Sequence, residues 1–218
     1  MPLLARSTGG YRYGGVLLLT LAVAVFALLA PEGRAARTIE LLAAGATLLV
    51  AVLTSKAPAA TRRAAAIGLA IVVAVAGTAA ALGHDNVALT FALIALLAIV
   101  TIGIILAGLV RLILERGVVL QAVLAAVAVY VLVGLAFGFV IGAIAQAGST
   151  PYFAGGTDAV QSQRVYYSFT VLTTTGFGDF TAGTRGGQAL AVLEMLLGQL
   201  YLVTVIALLV GNLRRRPQ

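Results

Sequence analysis

Cysteine is absent from the 218-residue chain, so it holds neither a disulfide framework nor a thiolate metal site. Histidine is nearly absent as well: His84 stands alone, which leaves no zinc or haem constellation. Charge is the third scarcity. Only 10% of residues are charged, against about 25% in soluble domains, and the seven acids are scattered without a catalytic cluster. These shortages argue against an enzyme, and no cofactor is expected. What the chain has is apolar bulk, at 61% hydrophobic residues, the composition of an integral membrane protein. Its net charge of +7 lies in short clusters between apolar runs. Those clusters are read as orienting the spans, with no nucleic acid and no soluble partner expected.

Six runs approach the roughly 20 apolar residues that cross a hydrocarbon core. They lie near 15–30, 38–54, 64–83, 87–110, 118–146 and 187–212, so the expected fold is all-α with six transmembrane helices. The third run is rich in alanine and glycine and suits packing against other helices better than facing lipid. Take the N-terminus as cytoplasmic. Arg6, Arg12, Lys56, Arg62, Arg63, Arg111, Arg116, Arg214, Arg215 and Arg216 then fall inside, and Arg34, Arg37, Arg164 and Arg185 outside, ten against four. This bias predicts a multi-pass protein of the plasma (inner) membrane with both termini cytoplasmic and residues 147–186 on the outer side. Arg6 and Arg12 ahead of an apolar run ending in Leu29-Ala30 also fit a secretory leader. The run exceeds most signal cores and is read as a span.

A boundary near Arg116-Gly117 divides the chain. Residues 1–116 form a peripheral bundle of four spans, with His84-Asp85-Asn86 in a tight turn. Residues 117–218 read as span, re-entrant loop, span. Within the loop, 147–163 is polar and glycine-rich, an outer turret. Arg164 to Thr174 then makes a helix far too short to cross, so it must enter and turn back. Non-helical backbone after it is tolerable only where it lines a cavity.

That backbone is Thr173-Thr174-Thr175-Gly176-Phe177-Gly178-Asp179. Alternating glycines after threonines let carbonyls and a hydroxyl line one narrow path and replace the water around a dehydrated cation. The motif resembles the selectivity filter of the tetrameric potassium channels, usually Thr-Val-Gly-Tyr-Gly-Asp. Thr174, Gly176, Gly178 and Asp179 match it; Thr175 replaces the valine and Phe177 the tyrosine. The resemblance implies a homotetramer, three identical subunits completing the ring. It also implies K+ as the permeant ion, held by the carbonyls of Thr174, Thr175, Gly176 and Phe177 with the Thr174 hydroxyl innermost. Tyr166 and Tyr167 stand where the family carries tryptophans, and Thr170 where some members place a glutamate that bonds the filter aspartate. Phe177 lacks the hydroxyl that braces the filter in many relatives, and Thr175 puts a hydroxyl behind it. These departures imply a less rigid filter, and they keep a nonselective Na+/K+ channel as the alternative reading.

The last span extends the likeness. Glu194-Met-Leu-Leu-Gly198-Gln199-Leu200-Tyr201, followed by Ala207-Leu-Leu-Val-Gly211, resembles the inner helix of prokaryotic members. Gly198 falls at the family's hinge glycine. Gln199, Leu202, Ile206 and Val210 lie at helical spacing and are expected to face the ion path as a gate. Glu194 is read as the only acid deep in a span, a functional candidate for that reason. It lies about 140° round the helix from Gln199, so it is expected to bond behind the filter. Six spans with a pore loop match the outline of voltage-gated channels. The fourth span, Val87 to Val110, carries no arginine, however, so gating charge is lacking and little voltage dependence is expected. No cytoplasmic ligand-binding domain is expected within these residues. Filter-like transporters place four related loops in one chain, whereas this one has a single loop.

Overall fold

The computed structural model describes residues 12–55, 62–63, 65–70, 72–74, 86–207, 209 and 211. Among these the regular elements are helical: α1 (Tyr13–Leu29), α2 (Arg34–Thr54), α3 (Val87–Arg116), α4 (Leu120–Ala147), α5 (Gln161–Leu172) and α6 (Arg185–Tyr201), which runs into a π-helical turn at Leu202–Ile206. Four stretches are long and apolar enough to cross a membrane: Arg34–Thr54, Val87–Arg116, Leu120–Ala147 and Arg185–Val205. At 17 residues, Tyr13–Leu29 is shorter. The third expected span, 64–83, is helical at 65–70 and 72–74 and otherwise lies outside the described residues, as do His84 and Asp85. The chain is a multi-pass membrane protein built from helices.

Local chemistry sets the boundaries. Asn86 caps α3 by accepting from Leu89 N at 3.0 Å. The same helix stops at Gly117, whose φ of +70° favours a residue without a side chain. Only three residues, 117–119, separate α3 from α4, so the two lie side by side in the most extensive helix contact of the fold. α1 packs on α2, on α4 and on α5, and α2 packs on α3, so the first helix rests on the short helix of its own chain. Buried hydroxyls in this apolar bundle are satisfied locally. Thr20, Thr47 and Thr101 each donate to the carbonyl four residues back, at 2.8, 2.8 and 2.7 Å. Tyr13 Oη donates to Ser55 Oγ at 3.2 Å across the bundle.

Glycine makes the seat for the short helix. Gly134, Gly138 and Gly142 recur every fourth residue along one face of α4 and meet Phe169, Val165 and Gln161 of α5. A Cβ on Gly134 would stand 2.7 Å from the Phe169 ring, and one on Gly138 3.0 Å from the Val165 Cα. Small residues at this spacing let two backbones approach closely. Gly103 on α3 has nothing within 4 Å of its would-be Cβ. Gly134→Ala is therefore expected to destabilise the protein by about 1–3 kcal/mol through overpacking. Gly103→Ala should be neutral or stabilising, because alanine is favoured over glycine inside a helix by ~0.5–1 kcal/mol. Thermal unfolding of the two variants in one detergent checks the contrast.

Candidate functional site

The site is organised by α5, a helix of 12 residues with both ends enclosed. Its N-cap residue is Val160, whose side chain has no oxygen to offer the first amides. Two other groups serve instead. Gln163 Oε1 accepts from Val160 N at 3.0 Å, and Glu32 Oε1, from the α1–α2 turn, accepts from Gln161 N at 2.8 Å. A carboxylate at this position also opposes the positive end of the helix dipole. Arg164 lies buried one turn in, donating to the carbonyls of Asp158 and Ala159 at 2.8 Å each, with its guanidinium 5.7 Å from the Phe91 ring centre. Burial lowers its pKa, and the nearby carboxylates of Glu32 and Asp158 raise it. Arg164 counts as an outer-face charge in the sequence tally, yet here it is a structural group.

At the other end the backbone leaves the helix and changes hand at every second residue. Thr174, Gly176 and Gly178 have φ of +58°, +52° and +81°, while Thr175 and Phe177 stay at negative φ. Such alternation turns successive carbonyls to the same side of the chain. The amides turn back: Thr175 N and Gly176 N both donate to Thr170 O, at 2.9 and 3.1 Å, and Thr174 N donates to Val171 O at 2.9 Å. Residues 173–179 are exposed in the single chain. The left-handed angles at the two glycines cost little, whereas at Thr174 the same angle is strained by of order 1 kcal/mol or more. The segment is thus a string of acceptors held open by its own helix.

Aromatic rings surround it. Tyr166 stacks on Phe177, with ring centres 6.2 Å apart and planes 3° from parallel. Its hydroxyl lies near the Asp179 carboxylate; desolvation first, and then that carboxylate, raises its pKa. Thr170 does not reach Asp179: its hydroxyl donates to Tyr167 O at 2.8 Å, and it is its carbonyl that receives the amides of Thr175 and Gly176. Thr175 Oγ1 lies 2.9 Å from Thr173 Oγ1. Tyr167 packs edge-on against Tyr152 and Phe153, and Phe153 against Phe180. The turret is pinned to the strand-like residues after the filter by Gly183 N to Tyr152 O (2.8 Å) and Ala154 N to Thr181 O (2.9 Å).

α6 presents Gly187, Ala191, Glu194 and Gly198 to its own chain. A side chain on Gly198 would run into the Leu172 carbonyl oxygen, so close approach alone requires glycine there. Leu172 O also accepts from Tyr130 Oη at 3.3 Å. The break in regular helix comes later than Gly198, at the π turn Leu202–Ile206. Gln199 and Leu202 are exposed, and Val210 lies outside the described residues. Glu194 is fully buried against α5, with Ser168 Oγ 2.5 Å from its Oε1 and its Oε2 without a partner. A second acid among the described residues is buried too, at the edge of its span. Glu40, in the second turn of α2, is buried near Glu32 and Arg37. Sequence reasoning missed Glu32, Glu40, Tyr130, Tyr152, Phe153 and Phe180. Only the aromatic flanks of the loop offered a signal for any of them.

Residues 118–215 match the model of a family described as an ion channel. The matched stretch runs from the start of α4 to the end of α6 and beyond, and supports a pore-loop ion channel family. No curated protein and no solved structure gives a significant match to the chain.

The Glu32 cap is open to a direct test. Glu32→Ala is expected to cost ~1 kcal/mol at the start of α5, the usual worth of an N-terminal cap. Hydrogen–deuterium exchange over residues 161–164 should then quicken about fivefold, with residues 120–147 unchanged. Glu32→Gln keeps an acceptor oxygen and should lose only the charge–dipole part, ~0.3–1 kcal/mol.

Proposed function

We propose that four copies of this chain form a potassium channel, each contributing one quarter of a filter made from Thr174, Thr175, Gly176, Phe177, Gly178 and Asp179. The observation that carries this reading is the alternation of φ at Thr174, Gly176 and Gly178, with the adjoining amides committed to Thr170 O and Val171 O. It leaves a row of carbonyls whose only use is to replace the hydration shell of a cation. The helix that precedes the row ends towards it, and that end carries partial negative charge.

Assembly is supported by what the single chain leaves bare. Phe177 is 69% exposed, and Val192, Leu193, Leu196, Leu197 and Leu200 all project from α6 without cover. A groove of ≈ 390 Å³ runs between α5 and α6, past Thr170, Thr174, Gln188 and Met195. A closed ring of identical subunits buries such a face and completes the filter in one step. Tyr166, Tyr167, Thr170 and Glu194 support the filter from behind. Gln199 and Leu202 belong to the lower path, a role the sequence also assigns to Ile206 and Val210, and the π turn at Leu202–Ile206 is the natural place for it to bend. Residues 1–116 make a peripheral bundle without gating charges, and both termini lie in the cytoplasm of a plasma-membrane protein.

The test is the reversal potential of the purified protein in planar bilayers under a potassium-versus-sodium gradient. The expected value is near the potassium equilibrium potential, with current abolished by Gly176→Ala. A reversal near zero with the same loss in the variant makes the pore nonselective and implicates Thr175 and Phe177.

A further inference from the structure

Three helices meet behind the filter at a single hydroxyl. Ser168 Oγ on α5 lies 2.7 Å from the carbonyl oxygen of Gly134 on α4 and 2.5 Å from Oε1 of Glu194 on α6. Each distance is that of a hydrogen bond. A serine hydroxyl carries one hydrogen, and a carbonyl oxygen and an ionised carboxylate have none to give. With Glu194 ionised, two contacts would share one hydrogen. One further hydrogen is needed, and among these three groups only the carboxyl can hold it.

The surroundings agree with that count. The titratable groups facing Glu194 are Tyr130 from α4, Tyr167 from α5 and Tyr152 from the turret. No cation stands among them. Two of their hydroxyls donate elsewhere, Tyr130 to Leu172 O and Tyr152 to Gly187 O, and Tyr167 makes no hydrogen bond to Glu194 Oε2. Glu194 Oε2 therefore has no donor, although the residue is fully buried. An ionised oxygen left so would cost several kcal/mol, whereas the carbonyl oxygen of a neutral acid tolerates it at far lower cost.

We propose that Glu194 is a carboxylic acid that donates to Ser168 Oγ, while Ser168 donates onward to Gly134 O, so that one proton ties α6, α5 and α4 together behind the filter. Glu194 is a positioning residue in this arrangement. It fixes Ser168, two residues before Thr170, whose carbonyl receives both filter amides. The functional part of the assignment rests on the channel reading above; the protonation itself does not.

Infrared difference spectroscopy of the full chain in lipid vesicles, at neutral pH in light and heavy water, tests the proton directly. The expected result is a protonated-carboxyl carbonyl band that shifts in heavy water and is missing from Glu194→Gln. In Ser168→Ala the band should persist at higher wavenumber, because the acid has lost its acceptor. If Glu194→Gln removes no such band, the proposal is overturned. Potassium flux into the same vesicles gives the second readout. Glu194→Gln should keep the flux, because its amide donates where the acid did, whereas Glu194→Leu should lose about tenfold or more with the buried hydrogen bond. Equal loss in both variants would make charge the operative property and overturn the assignment. A wild-type protein that passes no ions would count against the channel reading alone, since the infrared band does not depend on conduction.

Discussion

A helix too short to cross the membrane must have both of its ends satisfied by protein, and this requirement governs the region around α5. The first amides and last carbonyls of such a helix have no partner within it. At the start, a valine N-cap offers nothing, and the chain brings Glu32 from 129 positions away to accept from Gln161 N. At the end, Thr170 O takes two filter amides and Leu172 O takes the Tyr130 hydroxyl. The sides are closed by glycine. Gly134, Gly138 and Gly142 admit the helix on α4, and Gly198 admits it on α6. Substituting any of these four moves a helix that has nowhere else to rest.

The loop that follows inherits its shape from this anchoring. Backbone of alternating hand is not stable by itself, and here each amide that turns inward finds a helix carbonyl already fixed in space. Stacking of Tyr166 on Phe177 then holds the far end of the loop. Tyr152, Phe153, Tyr167 and Phe180 form an aromatic cuff between loop and turret. Rigidity in this loop therefore comes from ring packing and from amides bonded to α5, with little from hydrogen bonding by the ring at Phe177.

Much of this was legible in the sequence where a local rule applied. Gly176 and Gly178 announced their backbone angles, because few other residues accept them. The start of α3, capped by Asn86, and both ends of α4 fell close to the expected spans, whereas α3 runs past the expected 110 to Arg116, where Gly117 stops it. Contacts that join distant segments were not legible. The expected short helix, 164–174, starts three residues late, since the group that caps Gln161 sits in another hairpin. The glycine seat was hidden in a chain where alanine and glycine are everywhere. Tyr166 was read as a smaller ring in place of tryptophan, and its position near Asp179 depends on a stacking geometry that spacing does not encode. Glu40 escaped notice because it lies at the edge of its span, and burial comes from its neighbours.

The three-residue link from Gly117 to Val119 carries a consequence for how subunits share labour. So short a tether leaves the peripheral helices no reach beyond their own chain, and α1 rests on the α5 of the same polypeptide. In the ring proposed above, a disturbance in one bundle would be delivered first to one quarter of the pore. In an assembly that mixes altered and unaltered chains, each quarter would answer to its own bundle, and the pore would grade its response by the number of altered copies.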